Sequence, residues 1–129
     1  MRRARRRGGA SRTTIAGVVL LAVGVSLALG WWQRRHQASL GEAVAALARP
    51  GDLHMISSDT CGFCIRARRW FEQHDVAFTE CSIEREPACR QAFDALGAPG
   101  TPVIVVRGQP TLGFDAERLR RRLAGEAGG

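Results

Sequence analysis

The chain has 129 residues, and its formal net charge of +7 is unevenly distributed along it. Residues 1–39 contain eight arginines and no acidic residue, whereas residues 40–129 contain eleven arginines and twelve acidic residues. Residues 40–129, which are enough for one folded domain, are therefore nearly neutral, and their charge does not favour nucleic-acid binding. The basic character belongs to the N-terminal head.

That head has the pattern of a membrane-targeting segment. A basic tail at residues 1–12 precedes 21 uncharged residues, 13–33. About 20 apolar residues span the hydrocarbon core of a bilayer, and Trp31 and Trp32 close the stretch as an interfacial belt does. Six arginines precede the stretch and two follow it directly. The positive-inside rule then predicts a signal-anchor helix in a bacterial-type inner membrane, with a cytoplasmic N-terminus and a periplasmic domain.

A cleaved signal peptide is the alternative, because Ala28-Leu29-Gly30 is a small-x-small sequence. Both alternatives export the rest of the chain. Residues 34–51 are predicted to be a linker with a short helix that ends before Pro50. Apolar residues recur in this linker at helical spacing, namely Leu40, Ala43, Val44 and Leu47.

Strand and helix patterns then alternate over residues 52–124. The strands are predicted at 53–57, 76–81, 103–106 and a short segment ending at 112, and the helices at 61–74, 87–96 and after Asp115. This βαβαββα order predicts an α/β domain with a four-stranded mixed sheet, in which two parallel strands are followed by a hairpin. Residues 125–129 are predicted to be a disordered tail.

The dithiol Cys61-Gly62-Phe63-Cys64 lies at the first strand–helix junction. A cysteine at a helix N-terminus faces unpaired backbone N–H groups, which stabilise the thiolate that acts as nucleophile. Cys64 follows one turn later on the same face, where it can attack a mixed disulfide on Cys61. The sequence thus predicts that Cys61 attacks and Cys64 resolves.

The order of elements and three motifs resemble a glutaredoxin-type thioredoxin fold. The motifs are the dithiol, Gly100-Thr101-Pro102 before the third strand, and Gly113-Phe114-Asp115 before the last helix. The resemblance implies a cis proline at Pro102 whose backbone pairs with substrate beside the nucleophile. With the residues around the dithiol, it predicts a set of substrate-binding residues: Thr60, Gly62, Phe63, Thr101, Pro102, Gly113 and Phe114.

The same resemblance bears on glutathione. Many glutaredoxins have a lysine before the dithiol that holds a glutathione carboxylate, whereas Ser58-Asp59-Thr60 stands here and Asp59 would repel that carboxylate. We therefore expect no required cofactor and regard glutathione as a doubtful partner. No metal ligand set is predicted.

Cys81 and Cys89 flank a short loop between the second strand and the second helix. The loop is able to bring their β-carbons within disulfide range, and a small exported domain gains from a covalent link. We predict a structural disulfide. Two free buried thiols, or a second redox pair that relays electrons to Cys64, are the alternatives.

The function predicted is a membrane-anchored thiol–disulfide oxidoreductase that acts on protein disulfides or dithiols outside the cytoplasm. One alternative is a zinc or iron–sulfur protein, since the four cysteines have the spacing C-x₂-C-x₁₆-C-x₇-C. Another is an electron-transfer adaptor dedicated to one membrane partner. The direction of electron flow and the oligomeric state are not encoded in these motifs.

Overall fold

The computed structural model describes residues 12–126. The predicted basic tail, apart from residue 12, and the last three residues of the predicted C-terminal tail lie outside the described residues. The chain divides into two compact units, residues 1–36 and 37–129. Each unit is described by itself.

The first helix, α1 (Arg12–Leu47), contains the whole apolar stretch of the first unit and continues into the second. It is long and apolar enough to cross a membrane. At the end of the apolar stretch, the Arg35 guanidinium lies 3.9 Å from the centre of the Trp31 ring, and Trp32 stacks on His36. Such aromatic residues with cationic neighbours are typical of a membrane–water interface.

The sequence predicts a helix at residues 13–33 and a separate short helix in the following linker. In the structure they are one helical element, which ends at Leu47. The helix continues because no proline interrupts the chain before Pro50. The alanine-rich segment at residues 34–47 also has high helix propensity.

The second unit contains a four-stranded mixed sheet, as the sequence predicted. Its strand order is β2-β1-β3-β4, with β1 parallel to β2 and antiparallel to β3, and with β3 antiparallel to β4. The elements that follow α1 are β1 (Leu53–Ser57), α2 (Gly62–Gln73), β2 (Thr79–Ser82), α3 (Pro87–Leu96), β3 (Val103–Val106), β4 (Gln109–Leu112) and α4 (Ala116–Leu123).

Helices cover the sheet on both faces. One face packs against α2, α4 and the last turns of α1, and its buried centre is formed by Leu53, Met55 and Phe71. The other face packs against α3 through Ile56, Cys81, Cys89 and Val103. Alternate residues of β1 therefore serve opposite cores, as the period of two along a strand requires.

Two helix boundaries follow directly from the local sequence. Pro87 opens α3, where its missing N–H group costs no hydrogen bond. Gly97 closes the same helix at φ 60°, a left-handed conformation that glycine adopts without steric cost. Both boundaries agree with the sequence prediction.

The second strand begins later than the sequence predicted. Residues 76–78 form the connection from α2, and pairing with β1 begins only at Thr79, opposite His54. Val76 is buried, and its N–H group donates to the Phe71 carbonyl at 2.9 Å. Its apolar side chain therefore packs in the core beneath the end of α2. The apolar residues at 76–78 are explained by this packing, although the same pattern also predicts a strand.

Cys81 and Cys89 form a disulfide whose Cα atoms are 5.9 Å apart. The side chains lie under α3, where Cys81 is 9% exposed and Cys89 is 4% exposed. The Nε2 atom of His54 lies 3.2 Å from the Cys81 sulfur. The bond joins the end of β2 to the first turn of α3 and closes the intervening loop.

Gly41 lies where the end of α1 meets His74, the residue that caps the C-terminus of α2. A β-carbon at this position would overlap the imidazole ring of His74, which itself packs on Trp70 with ring centres 4.6 Å apart. The absence of a side chain at Gly41 therefore lets these helices approach.

We predict that Gly41→Ala destabilises the second unit by about 1–3 kcal/mol, because the added methyl group must displace the His74 ring. Urea denaturation of the detergent-solubilised protein, followed by tryptophan fluorescence, measures the change. In a His74→Ala background the same substitution should be neutral or stabilising, since alanine is the better helix former by about 1 kcal/mol. An equal loss in both backgrounds would show that His74 is not the obstacle.

We also predict that the Cys81–Cys89 disulfide survives mild reduction that opens Cys61–Cys64, because both of its sulfurs are shielded from an attacking thiolate. Alkylation at graded dithiothreitol concentrations, followed by peptide mass mapping, measures each pair. A Cys61→Ser/Cys64→Ser variant is the control that contains only the buried pair. Simultaneous opening of both pairs would contradict the structural role.

Candidate active site

Cys61 caps the N-terminus of α2, as the sequence predicted for the nucleophile. Its sulfur accepts the backbone N–H group of Cys64 at 3.1 Å, which is the hydrogen bond that a serine or aspartate oxygen makes at an ordinary N-cap. Cys61 is partly exposed, whereas Cys64 is fully buried. The two sulfurs form a disulfide with Cα atoms 5.2 Å apart.

The turn before β3 faces this disulfide. The peptide bond between Thr101 and Pro102 is cis. The Thr101 carbonyl oxygen lies 3.5 Å from the Cys61 sulfur, within reach of a thiol donor in the reduced protein. The Pro102 carbonyl accepts the N–H group of Gly113 at 2.8 Å, which fixes the start of β3 to the end of β4.

A groove of about 620 Å³ adjoins Cys61 at Thr101. Its walls come from α2, the turn before β3 and the end of β4, and they consist of Phe63, Arg66, Pro99, Gly100, Thr101, Pro102, Leu112, Gly113 and Phe114. Phe63 is 66% exposed and Leu112 is 50% exposed, so the apolar lining faces solvent. The Arg66 guanidinium lies 4.9 Å from the centre of the Phe63 ring and is the cation of the groove.

Aromatic packing holds one wall of the groove from behind. The Phe114 ring lies 5.1 Å from Trp70 and 5.2 Å from Phe71, measured between ring centres. Phe71 is fully buried in the core. Phe114 is therefore fixed in position while its other side contributes to the groove.

The residues before Cys61 are held by the segment between β2 and α3. The carboxylate of Glu84 accepts the Ser58 hydroxyl at 2.6 Å and the Asp59 N–H group at 3.1 Å. Arg85 pairs with Asp59 at 3.0 Å. The hydrogen bond from Ser58, together with those from Asp59 and Ser82, lowers the pKa of Glu84 to about 2.

The structure brings together five of the seven substrate-binding residues predicted from the sequence. Phe63, Thr101, Pro102, Gly113 and Phe114 all line the groove. Thr60 and Gly62 flank Cys61 in the chain but do not line it. Their predicted role in binding stays a prediction.

Sequence reasoning missed Arg66, Leu112 and Glu84. Arg66 stands one turn after Gly62 on α2, so a helical projection of the residues after the dithiol would have shown that it borders the same end of the helix. Leu112 precedes Gly113 directly and could have been found from that motif. Glu84 had no such signal, because its partners Ser58 and Asp59 are 26 and 25 residues away in the sequence.

The two cysteine pairs lie on opposite faces of the sheet. Cys64 belongs to α2, which packs with Phe71 against one core, whereas Cys81 and Cys89 belong to the other core. This separation disfavours both a four-cysteine metal site and a direct relay from the buried pair to Cys64. Within residues 12–126, no group of three or more histidine, cysteine or acidic side chains is placed to hold a metal ion.

Comparisons with known proteins bear on the fold of the second unit. The family model described as Glutaredoxin matches residues 53–110. A solved point mutant of a thioredoxin-like protein shares 20% identity at a TM-score of 0.50, over 60% of this chain and 99% of that one. No curated protein matches the chain.

Two further solved structures are similar. The glutaredoxin-like NrdH-redoxin from Escherichia coli shares 22% identity at a TM-score of 0.48, over 54% of this chain and 91% of that one. A glutaredoxin from Archaeoglobus fulgidus shares 22% identity at a TM-score of 0.46, over 57% of this chain and 85% of that one. Residues 53–110 therefore resemble the glutaredoxins, and the second unit has a thioredoxin-like fold.

Proposed function

We propose that this chain is a thiol–disulfide oxidoreductase that acts on protein disulfides or dithiols. The observation that carries the proposal is the asymmetry of the dithiol. Cys61 is partly exposed at the N-terminus of α2 and borders an open groove, while Cys64 is buried one turn later within bonding distance. One sulfur is thus accessible to a substrate and the other only to its neighbour.

The reaction has two exchange steps. In the reducing direction, the Cys61 thiolate attacks a substrate disulfide, forms a mixed disulfide and releases one substrate thiolate. The Cys64 thiolate then attacks the Cys61 sulfur and releases the second substrate thiolate. The substrate gains two electrons and the domain is left with the Cys61–Cys64 disulfide, while the reverse sequence oxidises a substrate dithiol.

The unpaired N–H groups of the first turn of α2 favour this chemistry. The Cys64 N–H group already points at the Cys61 sulfur at 3.1 Å. When the disulfide opens, the same donor stabilises the negative charge on that sulfur, and the positive end of the helix dipole adds to the effect. The Cys61 sulfur, which attacks in one direction of the reaction and leaves in the other, is thus stabilised as a thiolate by groups that are fixed before reaction.

The groove supports a protein substrate in preference to glutathione. Phe63 and Leu112 present exposed apolar surface, which suits side chains that flank a substrate cysteine. The Thr101 carbonyl beside Cys61 is available for backbone pairing with an extended peptide. Asp59 stands where a carboxylate-binding lysine would be needed, so glutathione stays a doubtful partner and no other cofactor is proposed.

We further propose that α1 tethers this activity to a membrane and that the redox domain, residues 52–124, lies on the extracytoplasmic side. The support is the length and composition of α1 and the excess of arginine before its apolar stretch. An oxidising compartment would also favour the Cys81–Cys89 disulfide.

Cys64→Ser should trap mixed disulfides with substrate proteins, because the attacking sulfur stays accessible while the resolving thiol is lost. Cys61→Ser should trap none, since Cys64 is fully buried. Non-reducing electrophoresis of the affinity-purified variants, with and without dithiothreitol, measures the trapped species.

Cys89→Ser is the matched control, because it also frees one partner of a disulfide but lies on the other face of the sheet. Equal trapping by the Cys61 and Cys64 variants would remove the assignment of their roles. Trapping by neither, in a protein that remains folded, would remove the proposed function.

Alkaline phosphatase fused to the C-terminal end of the chain should be active, because the arginine asymmetry predicts export of everything after α1. A fusion placed before the apolar stretch should be inactive and serves as the control. Activity confined to a cytoplasmic reporter at the C-terminal end would reverse the proposed topology while leaving the redox chemistry intact.

A further inference from the structure

Glu84 holds the backbone that leads into the nucleophile. One of its carboxylate oxygens accepts the Ser58 hydroxyl and the other accepts the Asp59 N–H group. The Ser58 carbonyl in turn accepts the N–H group of Cys61 at 3.2 Å. Two successive hydrogen bonds therefore connect the Glu84 carboxylate to the Cys61 backbone.

The Glu84 carboxylate is itself fixed. Ser82 is 1% exposed, and its hydroxyl lies 3.0 Å from Glu84 Oε2 and 2.8 Å from Asp59 Oδ1. The Glu84 N–H group donates back to that hydroxyl at 3.3 Å. Because Ser82 directly follows Cys81, the disulfide to Cys89 anchors the segment that carries Glu84.

The Glu84 carboxylate has no ion-pair partner among the described residues. Asp59 has Arg85 as a partner, and Arg68 pairs with Glu80, whereas no basic side chain of residues 12–126 is in ion-pair range of Glu84. With its pKa lowered to about 2, Glu84 is ionised at neutral pH.

The other charged groups near the site do not pair with Glu84 either. Arg66 lies over the Phe63 ring in the groove, and Glu86 accepts the Ser82 N–H group at 3.2 Å. Asp115 caps α4 by accepting the N–H group of Arg118. The Glu84 carboxylate binds the N–H group of Asp59, whose Cα atom is at most about 7–8 Å from that of Cys61.

We propose that Glu84 is a positioning residue of the dithiol, whose fixed negative charge opposes the Cys61 thiolate and so biases the pair toward donating electrons to protein disulfides. This proposal rests on the proposed function. A charge that destabilises the thiolate destabilises the reduced pair relative to the disulfide, and the protein then reduces its substrates more readily.

The expected effect is a change in the exchange equilibrium. At this separation a single charge in the partly screened environment of a protein surface changes the stability of a second charge by about threefold to tenfold in equilibrium constant. Glu84→Gln removes the charge and retains one side-chain oxygen for the Ser58 hydroxyl, while its NH2 group replaces the oxygen that accepts the Asp59 N–H group. The reduced form of the Cys61–Cys64 pair should therefore become more populated in a given redox buffer.

The test is a redox titration of the full chain in detergent against reduced and oxidised dithiothreitol at neutral pH. Alkylation and peptide mass mapping distinguish the Cys61–Cys64 pair from Cys81–Cys89. Glu84→Gln should raise the equilibrium constant for formation of the reduced pair at least about threefold, with more thiolate absorbance at 240 nm at the same pH. Glu72→Gln is the matched control, because it removes the same charge about 15 Å further along α2 and should leave the constant unchanged.

Salt gives a second measurement on the same two proteins. Raising the salt concentration from about 0.1 M to about 1 M shortens the screening length from about 10 Å to about 3 Å. Salt screens the helix dipole in both proteins but the Glu84 charge only in the wild type, so the ratio of their two equilibrium constants should approach one at high salt.

The outcomes separate the two proposals. If the wild-type pair exchanges with dithiothreitol but Glu84→Gln and Glu72→Gln give the same constant, the role of Glu84 is overturned and the proposed function stands. A ratio of the wild-type constant to the Glu84→Gln constant that differs from one and is the same at low and high salt also overturns the electrostatic role of Glu84. If the wild-type pair does not exchange at all, the proposed function fails and the role of Glu84 fails with it.

Discussion

The hydrogen bond from the Cys64 N–H group to the Cys61 sulfur is the interaction on which the site depends. It makes Cys61 the cap of α2, so the group that starts this helix is also the proposed nucleophile. The arrangement requires β1 to end at Ser57 and the chain to turn within four residues. The position of Cys61 is thus fixed by the sheet, and its electrostatic environment is fixed by the first turn of α2.

The two cysteine pairs lie on opposite faces of the sheet and differ in exposure. The pair on α2 borders the groove and is open on one side, whereas Cys81 and Cys89 are buried beneath α3. The buried pair still bears on the site, because it fixes the segment whose Glu84 side chain reaches Ser58 across the end of β1. The Cys81–Cys89 disulfide on one face therefore supports the geometry of the proposed reactive pair on the other.

The sequence predicted those parts of the fold that depend on short-range chemistry. Pro87 and Gly97 define α3 because proline and glycine restrict the backbone locally, and the apolar run 103–106 identified a central strand because both of its faces are covered. The start of β2 was predicted too early, since the pattern cannot distinguish a buried connector such as Val76 from a strand residue. Glu84 was missed because its contact to Ser58 is set by the pairing of β1 and β2, and no local pattern encodes it.

Packing also links the groove to the last turns of α1. The ring of His74 occupies the space left open at Gly41, and it contacts Trp70, which in turn contacts Phe114 in the groove wall. The contacts of Trp70 with His74 and with Phe114 are between rigid rings, and close-packed protein interiors transmit strain. The segment that precedes β1 is thus a packed part of the redox domain, in contact with the groove wall through two side chains. With a flexible linker in place of this helical segment, only the domain itself would hold Phe114. In this structure the end of α1 also supports Phe114, through His74 and Trp70.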